Sequence, residues 1–132
     1  MAQEIPSDLR IFLVEDDEPT CLLLETILPE DAELVFESDP HEAIEVAKEQ
    51  SFDLVLLDIH LGDTSVGGIE IMNSLRESGR HEDCPIVAVT AFAMPGDENR
   101  FLEEGFDAYL PKPFKKKTLF ELVRRLIGSK EG

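Results

Sequence analysis

Apolar positions along the chain follow two alternating rhythms. Short runs rich in β-branched and aromatic residues read as strands: "RIFLVED" (10–16), "AELVFES" (32–38), "FDLVLLD" (52–58), "CPIVAVTAFA" (84–93) and a short one inside "FDAYLPKPF" (106–114). Between them, apolar residues recur every three or four positions, as on one face of a helix. The first such stretch is "EPTCLLLETIL" (18–28), with Pro19 in its opening turn. The second is "DPHEAIEVAKEQ" (39–50), with Asp39 as N-cap, Pro40 at the first helical position, and Ile44 and Ala47 facing inward. A glycine-bearing loop, "IHLGDTSVGG", leads to a helix with Ile71, Met72 and Leu75 on one stripe. "PGDENRFLEEG" (95–105) predicts a fourth helix, which Gly105 ends in the left-handed conformation. "KKTLFELVRRLIG" predicts a fifth through Leu119, Leu122, Val123 and Leu126, closed by Gly128.

Five strands alternating with five helices imply a parallel sheet covered on both faces and joined by right-handed crossovers, the doubly wound α/β architecture. The unbroken apolar character of 52–58 fits a central strand buried on both sides. The pattern predicts one domain over residues 10–127, with an N-terminal extension at 1–9 and a short tail at 128–132. In such sheets the functional crevice lies beyond the carboxyl ends of the strands, where the winding direction reverses.

Composition narrows the functions that fit. The 132 residues carry 29 acidic against 12 basic side chains, a formal net charge of −17. A surface of that sign repels phosphate backbones and anionic lipid, which argues against direct binding to nucleic acid or membrane. Seven of the twelve basic residues gather late in the chain, at Lys112, Lys115, Lys116, Lys117, Arg124, Arg125 and Lys130. Cys21 and Cys84 are far apart, without metal-binding or redox spacing, and read as small packed groups. The start, "MAQEIPSDLR", lacks the apolar core of a signal peptide, and no apolar run reaches membrane-spanning length. A cytoplasmic protein is expected.

The strand ends hold the candidate chemistry. The first strand runs into Glu15, Asp16 and Asp17; the third ends on Asp58, the fourth on Thr90, and the fifth near Lys112. An apolar run finishing on a carboxylate is costly unless that charge has partners. Two carboxylates about 4 Å apart repel by about 4 kcal/mol at an effective dielectric near 20, so the cluster calls for a cation. Carboxylate donors favour Mg2+ or Mn2+, and Lys112 adds an ammonium able to pair with Asp58. An Asp oxygen held beside a divalent ion is a competent nucleophile toward phosphorus. Phosphoryl transfer asks chiefly for in-line positioning and for neutralisation of the equatorial oxygens, to which Lys112 and the Thr90 hydroxyl are suited. Asp17 and Glu18, lying just before and within the first helix, also fit the plainer role of complementing its dipole.

Taken together, "VEDDE", "DLVLLDIHL", "VTAFA" and "YLPKPF", in this order, resemble the receiver domain of two-component response regulators from about Arg10 to Ile127. The resemblance implies a flavodoxin-like fold with strand order 2-1-3-4-5. It implies that Asp58 accepts a phosphoryl group from a sensor histidine kinase or phosphotransfer protein, with Mg2+ bound by Glu15, Asp16, Asp58 and the main-chain carbonyl of His60. It further implies that Thr90 closes on the phosphoryl group, that Tyr109 turns inward as Thr90 moves, and that Lys112 contacts the phosphoryl oxygens and precedes a cis bond to Pro113. The changed surface would be helix four, strand five and helix five, presented to a downstream protein target or an attached output domain. A register shifted by one would pair Asp16 with Asp17; the strand's halt at Val14 favours Glu15 and Asp16.

The chain departs from the family pattern after Asp58, where "HLGDTSVGG" lacks the usual proline and is slightly longer, so that Asp63 could reach toward the metal. His60 and Phe92 occupy positions that line the water approach in this family, and a bulky Phe92 is expected to slow hydrolysis. Two alternatives stand beside the switch. A phosphatase or phosphotransferase of the haloacid-dehalogenase type would want an Asp where His60 stands. A receiver-like interaction module that is never phosphorylated would be expected to lack part of the acidic, Thr90 and Lys112 set. The end of the chain soon after helix five suggests a freestanding receiver or one excised from a longer regulator.

Overall fold

The computed structural model describes residues 8–59, 68–79, 83–91 and 94–131, with side chains described as far as 127. In chain order its elements are β1 (Arg10–Val14), α1 (Glu18–Ile27), β2 (Glu33–Glu37), α2 (Pro40–Glu49), β3 (Leu54–Asp58), α3 (Gly68–Glu77), β4 (Ile86–Thr90), α4 (Asp97–Glu104), β5 (Ala108–Pro111) and α5 (Lys116–Glu131). The strands form one parallel sheet in the order β2-β1-β3-β4-β5, so the expected α/β fold and strand order hold.

Strand alternation sorts the core onto two faces. Ile11, Leu13, Leu54, Leu56, Val87 and Val89 point to one side, where Leu24 and Leu28 of the α1 segment and Leu119 and Val123 of α5 cover them. Phe12, Val14, Val55, Leu57, Ile86 and Ala88 point to the other, under Ala43 and Ala47 of α2, Ile71, Met72 and Leu75 of α3, and Phe101 of α4. Every residue of β3 and β4 is buried, as continuous apolar runs require of central parallel strands.

Helix starts follow local chemistry. Asp39 caps α2 by accepting from the His41 N–H, and Asp17 caps α1 by accepting from the Thr20 N–H. Four details differ from the sequence pattern. On α2 the buried positions are Pro40, Ala43 and Ala47, while Ile44 is only half-buried at the rim of that face. Helix α5 runs through Gly128 to Glu131; a glycine ends a helix by adopting positive φ, and among the described residues Gly79, Gly96 and Gly105 do so. On that helix Leu126 is half-buried and Ile127 takes the inward place. Leu9, assigned by the pattern to an N-terminal extension, is buried in the core, and its carbonyl accepts from Glu33 N–H at 2.8 Å. Cys84 is buried and Cys21 half-buried, and neither is in a disulfide. Among the described residues no helix is long and apolar enough to cross a membrane.

Candidate functional site

Strand register brings the predicted residues to one edge. Val14 pairs with Leu57, so Glu15 follows β1 level with Asp58, and Asp58 itself pairs with Val89. Thr90 comes next on β4 and pairs with Pro111, and its carbonyl accepts from the Lys112 N–H at 2.8 Å. Four separate strand ends therefore deliver Glu15, Asp58, Thr90 and Lys112 to the carboxyl end of the sheet. The peptide bond between Lys112 and Pro113 is cis, as expected.

The acids converge. Glu15, Asp16 and Asp58 each place a carboxylate oxygen within 4.8 Å of the others; Glu15 and Asp58 are buried and Asp16 is exposed. Lys112 spans the two buried ones, with Nζ 2.9 Å from both carboxylate oxygens of Glu15 and 3.6 Å from Asp58 Oδ2. The nearer partner of Lys112 is thus Glu15, where the sequence pointed to Asp58. Glu15 is further fixed by the Asp17 N–H, which donates to Oε2 at 3.1 Å.

The third acid plays a different part. The Asp17 carboxylate turns back onto α1 and accepts from the Thr20 N–H at 3.2 Å and from the Thr20 hydroxyl. Those hydrogen bonds from Thr20 hold its pKa below the usual value. Geometrically, the acids gathered around Asp58 are Glu15 and Asp16, and Asp17 is a helix cap.

Crowding of like charges is visible in the titration of the site. Burial, then hydrogen bonding to Asp58, pushes the Glu15 carboxyl up to about 7, against the opposing pull of Lys112. For Lys112 burial acts to lower the pKa, but the hydrogen bond to Glu15 and the charge of Asp58 outweigh it, and the ammonium is held above its ordinary value. Three carboxylates facing one ammonium leave a net negative hollow. The donor set consists of hard oxygens, without thiol or imidazole, and fits Mg2+ or Mn2+.

Thr90 is buried, 1% exposed, at the end of β4. The ring of Tyr109 stacks on Phe101 of α4 with centroids 5.8 Å apart, and its buried hydroxyl has no hydrogen-bond partner among the described residues. Burial and the charges of Asp97 and Glu98 raise its pKa. Beside Lys112, a cleft of about 430 Å³ opens between the start of α1 and the segment after β5, lined by residues that include Asp17, Pro19, Leu23, Ala91 and Phe114. His60, Asp63 and Phe92 lie outside the described residues. Sequence reasoning missed the close pairing of Glu15 with Lys112. Its one signal was that Glu15 continues an inward-packed strand, which forces its charge to find a partner inside.

Comparison with known proteins converges on one family. Residues 11–124 match the response regulator receiver domain. The polar-differentiation response regulator DivK of Brucella anthropi is 33% identical over 119 residues, which cover 89% of this chain and 95% of DivK. The receiver domain of a sensor histidine kinase from Pseudomonas aeruginosa, solved with a magnesium ion coordinated in its active site cleft, superposes with a TM-score of 0.80 at 30% identity, over 92% of this chain and 99% of that one. A CheY-like receiver domain protein from Methanospirillum hungatei gives a TM-score of 0.80 at 26% identity, over 96% and 100% of the two chains. With the family match running from β1 into α5, the chain belongs to the response regulator receiver domain family, the signalling domains of two-component systems.

Proposed function

We propose that this receiver domain is a phosphorylation switch with Asp58 as its acceptor. The observation that carries the reading is the convergence of Glu15, Asp16 and Asp58 within 4.8 Å, with Lys112 bridging the two buried acids. The donor is a phosphohistidine of a sensor histidine kinase or phosphotransfer protein. An ionised Asp58 oxygen attacks phosphorus, the P–O bond forms as the P–N bond breaks, and the departing imidazole keeps the bonding pair and takes up a proton from solvent.

Lys112, 3.6 Å from Asp58 Oδ2, neutralises one oxygen of the transferring group, and the Thr90 hydroxyl serves another. Glu15, Asp16 and Asp58 would hold Mg2+, with Mn2+ as a substitute, and the main-chain carbonyl of His60 would be the remaining protein ligand; the ion would supply charge neutralisation at the phosphoryl oxygens. Glu15 would be the least direct of these ligands, since Lys112 and the Asp17 N–H already engage its oxygens.

Read-out passes through Thr90 and Tyr109 to the surface of α4, β5 and α5. Two arrangements of that surface pre-exist, and the acyl phosphate biases them. A shift from 1:99 to 99:1 needs about 5.5 kcal/mol of differential interaction, so a few charge-assisted contacts move the equilibrium only part of the way. The recipient is a downstream protein or an attached output domain, not nucleic acid directly, and the setting is the cytoplasm. Chemistry catalysed by the domain is limited to its own phosphorylation and dephosphorylation. Beryllofluoride added with and without Mg2+ tests the switch through the amide spectrum. Shifts at Thr90, Tyr109 and Lys112 that need both reagents support it; a spectrum indifferent to beryllofluoride would sink it.

A further inference from the structure

Gly68, the first residue of α3, is buried and sits directly on the peptide that succeeds Asp58. A Cβ added there would lie 3.0 Å from Ile59 Cα, 3.0 Å from Ile59 Cδ1 and 3.2 Å from the Asp58 main-chain oxygen. Its φ is outside the left-handed range, so any residue can take that backbone conformation, whereas Gly79 and Gly96 have positive φ with open space around them. What Gly68 provides is space for close approach.

Relief of the clash has to move the first turn of α3 or the peptide after Asp58. Helix α3 is pinned by Ile71, Met72 and Leu75, which are essentially inaccessible to solvent. Its last turn is tied by Arg76, which donates to the Cys84 carbonyl at 2.8 Å and to Asp107 Oδ2 at 2.7 Å. The end of β3 is itself tied into the sheet, by the pairing of Asp58 with Val89 and by the Ile59 N–H donating to the Val89 carbonyl at 2.9 Å, so a shift forced there is small and is felt directly at the acceptor. A displacement of the peptide after Asp58 carries the acceptor carboxylate with it, while Lys112 and Glu15 stay anchored on β5 and β1. The 3.6 Å spacing between Asp58 Oδ2 and Lys112 Nζ then changes by a few tenths of an ångström.

We propose that Gly68 is a positioning residue for phosphoryl acceptance: its missing side chain lets α3 seat against the Asp58–Ile59 peptide and set the acceptor's place opposite Lys112. The inference rests on the reading of Asp58 as acceptor. The test uses acetyl phosphate with saturating Mg2+, where an Asp58 oxygen takes the phosphoryl group, the bond from phosphorus to the acetyl oxygen breaks, and acetate leaves. Intact mass gives the rate, and circular dichroism gives the melting temperature.

A displacement of a few tenths of an ångström in an in-line transfer is expected to cost Gly68→Ala about tenfold in the saturating rate. The half-saturating acetyl phosphate concentration should stay within about twofold, as when an interaction made only in the transition state is lost. Adding Ile59→Val removes Cδ1 but leaves the contacts with Ile59 Cα and the Asp58 oxygen, so the double variant should stay slow even as its melting temperature recovers. Ala47→Gly on α2, away from the site, supplies a destabilised control that should keep the wild-type rate.

A wild-type rate in Gly68→Ala, or recovery of the rate in the double variant, overturns the proposal. So does failure of both variants to fold, because glycine would then be needed for the fold itself. If the wild-type chain takes no phosphoryl group, the reading of Asp58 fails first, and the two failures are told apart by that measurement.

Discussion

Glu15 and Lys112 set the chemistry of the site before any ligand arrives. With burial and Asp58 holding the Glu15 carboxyl at about 7, against 4.5 in an unfolded chain, the folded metal-free state keeps a proton that the unfolded state releases. The folded state binds more protons between those values, so this group's contribution to stability falls as pH rises from about 4.5 through about 7 and is flat above. Melting temperatures without Mg2+ should therefore drop more steeply across that window in the wild type than in Glu15→Gln; equal slopes would remove this reading of Glu15. A second expectation concerns the ammonium. Lys112→Met leaves Glu15 and Asp58 facing each other in a buried hollow, and breaking a buried ion pair costs about 3–5 kcal/mol. The loss should appear in denaturant unfolding without metal and shrink in high Mg2+. A loss that Mg2+ leaves untouched would mean that the lysine supports packing and not charge.

Elements explain what the sequence could and could not disclose. The four buried apolar residues of β3, Leu54 to Leu57, were legible because an uninterrupted apolar run has few uses other than a doubly covered strand. The start of α2 was legible because Asp39 and Pro40 each act within one turn. The continuation of α5 past Gly128 was not, since a glycine ends a helix only when its φ turns positive, and that depends on the packing around the helix end. Nor was the inward place of Ala43 over Ile44, because small shifts of a helix on the sheet decide which of two adjacent positions reaches the core. For the acidic residues after β1, geometry separated two side chains that look alike in the sequence: Asp16 beside Asp58 and Asp17 turned back as a cap. Asp17→Ala is accordingly expected to lower thermal stability yet leave acceptance of phosphate from acetyl phosphate near wild type. Asp16→Ala should do the reverse, with the Mg2+ requirement moved to much higher concentrations. The opposite assignment of effects would restore the register of Asp16 with Asp17.

At the scale of the molecule, four strands carry their polar ends to one rim, where three carboxylates meet one ammonium. The sheet supplies rigidity and register; the segments beyond it supply the groups that react and move. The strand-end rule located this rim from sequence alone, whereas the distances that rank Glu15 as the nearer partner of Lys112 belong to tertiary packing and have no periodicity to read. The account stands or falls on which atom takes the phosphoryl group. Incubation with acetyl phosphate and Mg2+, reduction of the acyl phosphate with borohydride, and peptide mass mapping should convert residue 58 to homoserine, and Asp58→Asn should abolish the product. Homoserine at another aspartate, or none under conditions where Mg2+ demonstrably binds, would contradict the account.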